Sequence, residues 1–123
     1  RGMEAPAGAR ITVGGGYDFE PSWLGGSHHF TGKIVKWIAG QNDRRACVVE
    51  LDEAITATGD VRGRREERTG RFLVLELRYV GQVWGTEGTV HVELCSAEPP
   101  DASWPGRAPG AWVESHGTYK VSS

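Results

Sequence analysis

One apolar-rich run, residues 71–79 (RFLVLELRY), constrains the fold more than any other stretch. It lies between Gly70 and Gly81 and is rich in residues that favour a pleated strand. One face of such a strand would carry a continuous apolar row, formed by Leu73, Leu75, Leu77 and Tyr79. The other face begins apolar and becomes charged, in the order Phe72, Val74, Glu76 and Arg78. The pattern predicts a strand near the middle of a sheet, buried on both faces at its start.

Frequent turns divide the rest of the chain. The 123 residues include 18 glycines without a period, and no segment has a helical pattern. Alternating apolar residues predict further short strands at residues 10–13, 28–38, 45–51, 89–95 and 111–115. We therefore expect a single all-β domain over residues 1–123, a small closed or partly open antiparallel barrel of about six strands. A two-sheet β-sandwich is the alternative.

Several segments are predicted to lie outside these strands. Residues 1–9 are small and polar and predict a flexible arm. Residues 60–70 (DVRGRREERTG) are the most polar stretch and predict a long surface loop. Residues 97–110 contain four of the six prolines and predict a second long loop. Within the second predicted strand, Gly32 indicates a bulge or a sharp bend of the kind that small barrels use at corners.

One hairpin resembles a known barrel type. The stretch Gly32-Lys33-Ile34-Val35, with Val48-Val49-Glu50-Leu51-Asp52 after a turn, is similar to a hairpin of the small SH3-like barrels. The resemblance covers this hairpin alone. It implies a small barrel and carries no functional residue across.

Charge and cysteine usage restrict the partners. The net charge of −2 argues against a general nucleic-acid or anionic-membrane binder, because both need a positive field. The arginines of residues 60–70 are interrupted by Glu66 and Glu67, so the local charge largely cancels. No apolar run approaches the ~20 residues of a membrane helix. Cys47 and Cys95 have no metal-binding spacing and are expected on opposite faces, which predicts free thiols in a soluble, cytoplasmic protein.

Tryptophans are the first candidate binding residues. Trp84 and Trp104 lie in Gly- or Pro-rich stretches, and Trp23 lies in an aromatic, proline-bearing loop. Loops held by a rigid scaffold often carry binding residues, and tryptophan is enriched at interface hot spots. These residues predict a non-enzymatic domain that presents aromatic loops to a protein partner or to a second copy. The structural alternative is that they fill or seal the barrel.

Histidines and glutamates form the second candidate set. His91 and Glu93 are two residues apart, as are Glu114 and His116, so each pair would share one face of a strand. On neighbouring strands this set would suit a divalent transition metal, which gives a small-molecule- or metal-binding barrel, with enzymatic activity open, as the alternative function. A solvated polar face is the structural alternative. The chain has no G-x-S-x-G motif, P-loop or dinucleotide fingerprint, so no other cofactor is predicted.

Overall fold

Six strands form the framework of the described part of the chain. The computed structural model describes residues 5–15, 24, 29–39, 45–61, 64–79, 81–95, 97–101 and 114–122. The strands are β1 (Arg10–Gly15), β2 (His29–Ala39), β3 (Arg45–Val61), β4 (Arg64–Leu77), β5 (Glu87–Cys95) and β6 (Glu114–Ser122). Each strand pairs antiparallel with the next, and β1 pairs antiparallel with β6. The sheet therefore closes on itself, which confirms the predicted all-β barrel over the two-sheet sandwich.

The barrel interior is filled by alternate residues of the strands. Leu73, Leu75 and Leu77 of β4 point inward and are buried, as their shared parity predicted. The same core receives buried aliphatic residues from other strands, including Ile11, Val13, Ile34, Val49, Leu51, Val90, Val92 and Leu94. Each such side chain contributes ~1.5–3 kcal/mol when fully removed from water. The core is thus the main source of stability.

A second buried cluster lies on the outer face of β3, β4 and β5. It consists of Ala46, Val48, Phe72, Val74 and Cys95. These residues have the opposite parity to the interior row, so the first half of the run 71–79 is buried on both faces, as predicted. Cys47 lies in the interior cluster and Cys95 in the outer one, and the two form no disulfide. The expected opposite faces of the two cysteines are confirmed.

The end of β4 differs from the prediction. The strand ends at Leu77, so Tyr79 does not continue the inward row and is 55% exposed. Glu76 points to the outer face, as expected, but it is only 7% exposed.

The polar stretch 60–70 is not a long loop. β3 and β4 continue past the register shift between Glu50 and Ile55 as a two-stranded ribbon, in which residues 55–61 pair with residues 64–70. Only residues 62–63 separate the two strands. The prediction was wrong because it required an apolar face, whereas the hydrogen bonds of a ladder are made by the backbone. A cross-strand hydrogen bond between Thr56 and Thr69, 2.8 Å long, supports the ribbon.

Two glycines allow strands to approach closely. A Cβ at Gly32 would lie 2.3 Å from the carbonyl oxygen of Glu50, and one at Gly70 would lie 1.7 Å from that of Cys95. No side chain fits at either distance. The bulge predicted at Gly32 is instead a register shift between Ile34 and Lys36.

The remaining boundaries also differ from the sequence patterns. Residues 5–9 of the expected arm are tied to β2: the Gly8 amide donates to Ile34 O (2.6 Å), and Trp37 Nε1 donates to Ala5 O (3.0 Å). Residues 97–101 lie outside the strands, as predicted, and residues 102–110 fall outside the described part. The last strand, predicted at residues 111–115, is Glu114–Ser122.

Candidate functional site

Trp84 lies in the connection between β4 and β5 and seals one end of the barrel. It is 8% exposed and belongs to the interior cluster. Its ring packs edge-on against Trp37, with centroids 5.2 Å apart, and tilted against Tyr119, with centroids 4.9 Å apart. Its Nε1–H donates to the carbonyl of Arg45 at 3.3 Å. The side chain is part of the scaffold and does not form an exposed contact surface.

Hydrogen bonds fix the backbone around Trp84. The Tyr119 hydroxyl accepts from the Gly85 amide at 3.0 Å and donates to the Gly85 carbonyl at 3.2 Å. The Gln82 side chain also makes two hydrogen bonds: its Oε1 accepts from the Tyr79 amide (3.1 Å) and its Nε2 donates to Thr89 O (3.1 Å). Burial raises the pKa of the Tyr119 phenol, so this side chain stays neutral over the physiological range. These hydrogen bonds tie Gln82 to β5 and Gly85 to β6.

Two large side chains project from this connection. Tyr79 is 55% exposed and Val83 is 73% exposed, whereas the other large apolar side chains of the described barrel are at least partly buried. The Arg78 guanidinium lies over the Tyr79 ring, 5.1 Å from its centroid. Gly81, which lies between Tyr79 and Val83 in the sequence, has a φ of +85°, a conformation that favours glycine. We call the described residues 78–79 and 81–85 the β4–β5 loop.

The predicted binding tryptophans are thus only partly located. Trp84 is in the described part and supports the β4–β5 loop from beneath. Trp23 and Trp104 lie outside the described residues, so their binding role stays a prediction. Tyr79 and Val83 were not predicted as site residues. The alternation of residues 71–79 placed Tyr79 in the core, and only Gly81 signalled that the strand ends earlier.

The histidine and glutamate positions do come together on neighbouring strands. β5 and β6 are neighbours, with His91 opposite His116 and Glu93 opposite Glu114. The two imidazole centroids are 5.1 Å apart, at an interplanar angle of 67°. On the other side of β5, Glu76 of β4 lies opposite His91. Glu76 and Glu93 are nearly buried, and both have interaction partners, as buried carboxylates require.

Metal binding by this set stays a prediction. Among the described side chains, no group of three or more His, Cys, Asp or Glu residues is arranged to hold a metal ion. The Glu114 side chain lies outside the described part. Two imidazoles remain as adjacent nitrogen donors, which is one ligand fewer than the three that catalytic zinc sites use.

A third region of interest is a cleft where β2 and β3 separate. The strands pair only as far as Gly32 and Leu51, and a cleft of about 330 Å³ opens beyond that point. Asp52 lines the cleft and accepts hydrogen bonds from Arg10 Nη1 (2.9 Å) and Thr31 Oγ1 (2.8 Å). The hydrogen bond from Arg10 and that from Thr31 lower the pKa of Asp52 to about 2, so this carboxylate is ionised. We call this the β2–β3 cleft.

Comparisons with known proteins leave the family open. No protein-family model, no curated protein and no solved structure matches the chain at a significant level. The resemblance to SH3-like barrels therefore rests on the hairpin around Gly32 alone. No helix among the described residues is long and apolar enough to cross a membrane.

Proposed function

We propose that this barrel is a non-enzymatic protein-interaction domain that binds another protein chain through the β4–β5 loop. The observation that carries the proposal is the exposure of Tyr79 and Val83 on a backbone that Gln82 and Tyr119 hold in place. The two buried cysteines form no disulfide, which supports the cytoplasmic location that we propose with it.

Preorganisation favours binding through such a loop. A flexible loop loses conformational entropy when a partner orders it, and a loop already held by hydrogen bonds avoids most of that loss. Tyrosine also provides a large contact area with only two rotatable side-chain bonds. Truncation of a tyrosine hot spot typically costs ~2 kcal/mol or more, or about 30-fold in affinity.

The partner is another protein or a second copy of the chain. Trp84 acts in this proposal as the support that fixes the loop. Trp23 and Trp104 are retained as further contact residues from the sequence. The cation of Arg78 over the Tyr79 ring adds a positive charge beside the apolar surface, which favours a partner that brings a carboxylate close to an apolar patch.

Affinity capture with matched variants tests the proposal. The unaltered chain, Tyr79→Ala and Val83→Asp are immobilised, and Ser122→Asp serves as the control because Ser122 is exposed at the end of β6. We expect a saturable partner on the unaltered chain and on Ser122→Asp that both loop variants lose. Sedimentation of the purified chain detects a second copy as the partner. A partner retained by both loop variants, or none in either assay, would refute the proposal.

Metal binding is the second candidate, favoured by the register that sets His91 opposite His116. The two imidazoles would hold the ion, and Glu114 is the third ligand that we propose. Titration of the purified chain with zinc should raise its thermal stability, and His91→Ala and His116→Ala should each remove the effect. An equal zinc response in both histidine variants, or none in the unaltered chain, would exclude this candidate.

A further inference from the structure

The ribbon formed by β3 and β4 has two edges of different character. The first five residues of β4, 64–68, are all charged, and Arg68 donates a hydrogen bond to Leu94 O at 3.1 Å. Residues 54–58 of β3 (AITAT) are uncharged, and they include Ile55, Thr56 and Thr58. Natural edge strands are usually protected from pairing by charges, prolines or bulges. The β4 edge is protected in this way, and the β3 edge is not.

On its β2 side, the β3 edge has no strand partner among the described residues. The ladder between β2 and β3 stops at Gly32 and Leu51, although both strands continue. No described residue pairs with 54–58 from that side, and these residues pair with β4 only from Ile55 onward. Among the described residues, none pairs with the backbone N–H and C=O groups along this edge, so an added strand can hydrogen-bond them.

The β2–β3 cleft is the binding site for the added strand. One wall is residues 29–31 of β2 and the other is residues 51–55 of β3. Half-buried Phe30 and Ile55 supply apolar surface, while exposed Glu53 has no ion-pair partner among the described residues. A single extended chain can enter a cleft bounded on both sides by strands, whereas the edge of a second barrel cannot.

From these features we infer that residues 54–58 bind an extended segment of a partner protein by strand addition. The segment alternates apolar or β-branched residues, which contact Phe30 and Ile55, and carries a basic residue beside Glu53. This surface lies on the ribbon, at the opposite end of β4 from Tyr79 and Val83, so the inference stands independently of the β4–β5 loop.

A defined peptide tests the inference. The probe is a capped synthetic heptapeptide of alternating valine and threonine with a lysine at each end. At saturation, backbone amides within residues 53–58 should exchange at least about tenfold more slowly, while those of residues 64–70 are unchanged. The same peptide with methylated backbone nitrogens should not bind, because it has lost its donors. Absence of binding at millimolar peptide, equal binding of the methylated peptide, or protection at Tyr79 and Val83 instead would overturn the inference.

A matched pair of proline variants provides the second readout. Ala54→Pro fixes the edge backbone and removes its N–H. Ala97→Pro is the same substitution at an exposed bend. We expect the first to weaken peptide binding at least about tenfold and the second to leave it within about twofold. Unchanged binding by a folded Ala54→Pro variant would overturn the inference. If that variant does not fold, the exchange map of the unaltered chain decides alone.

Discussion

The role of Trp84 as scaffold gives the sharpest stability prediction. Its indole is 8% exposed and contacts two further aromatic rings. Burial of most of a surface of ~200 Å² at ~25 cal/mol per Å² contributes ~5 kcal/mol as an upper estimate. Large-to-small aromatic substitutions in cores typically cost ~3–5 kcal/mol. We therefore expect Trp84→Ala to lower the free energy of unfolding by ~4 kcal/mol.

Two companion variants separate the sources of this energy. Trp84→Phe keeps a ring but removes the donor to the Arg45 carbonyl, so a loss of ~1–3 kcal/mol is expected. Val83→Ala changes the adjacent residue, which is 73% exposed, and should stay within ~0.5 kcal/mol of the unaltered chain.

Urea unfolding followed by far-ultraviolet circular dichroism measures all three variants. The midpoint should fall strongly for Trp84→Ala, less for Trp84→Phe and hardly at all for Val83→Ala, with similar slopes. A loss below ~1 kcal/mol for Trp84→Ala would refute the reasoning, because the indole could not then be a packed core residue. Trp84 would in that case regain the exposed binding role that the sequence predicts.

Three further predictions follow from the barrel. Gly70→Ala should destabilise the fold by ~1–3 kcal/mol in urea, because its Cβ meets the Cys95 backbone, and a neutral effect would exclude the close approach. The depressed pKa of Asp52 contributes stability above the ordinary carboxyl pKa, and this stability is lost as the pH falls through about 2. Asp52→Asn should therefore flatten that part of an acid-unfolding curve. An unchanged curve would contradict the ion pair. A thiol reagent should modify Cys47 and Cys95 only on unfolding, and rapid reaction of the native chain would show that they are accessible.

The interior of the barrel was largely predictable from the sequence. A strand has a side-chain period of two, so Leu73, Leu75 and Leu77 had to share a face. The same rule placed His91 and Glu93 on one face. Their meeting with His116 needed the pairing of β5 with β6, which no local pattern contains. The structure shows this long-range pairing of β5 with β6.

The loops and the ribbon were less predictable for physical reasons. Most of the ribbon residues 55–61 and 64–70 are polar, charged or glycine, so hydrophobic periodicity does not detect a pairing that the backbone makes. Trp84 lies in a glycine-rich stretch that resembles an exposed loop, yet tertiary contacts bury it. Tyr79 shows the converse, because it continues the apolar alternation of β4 one step beyond the end of the strand.

Site-specific photo-crosslinking tests the central claim most directly. A photoreactive phenylalanine analogue is placed at position 79, at position 83 and, as the control, at position 122 on the exposed end of β6. The proposal predicts one discrete protein adduct from positions 79 and 83 that position 122 does not form. Equal adducts from all three positions, or none from positions 79 and 83, would contradict the assignment of the β4–β5 loop as the binding surface.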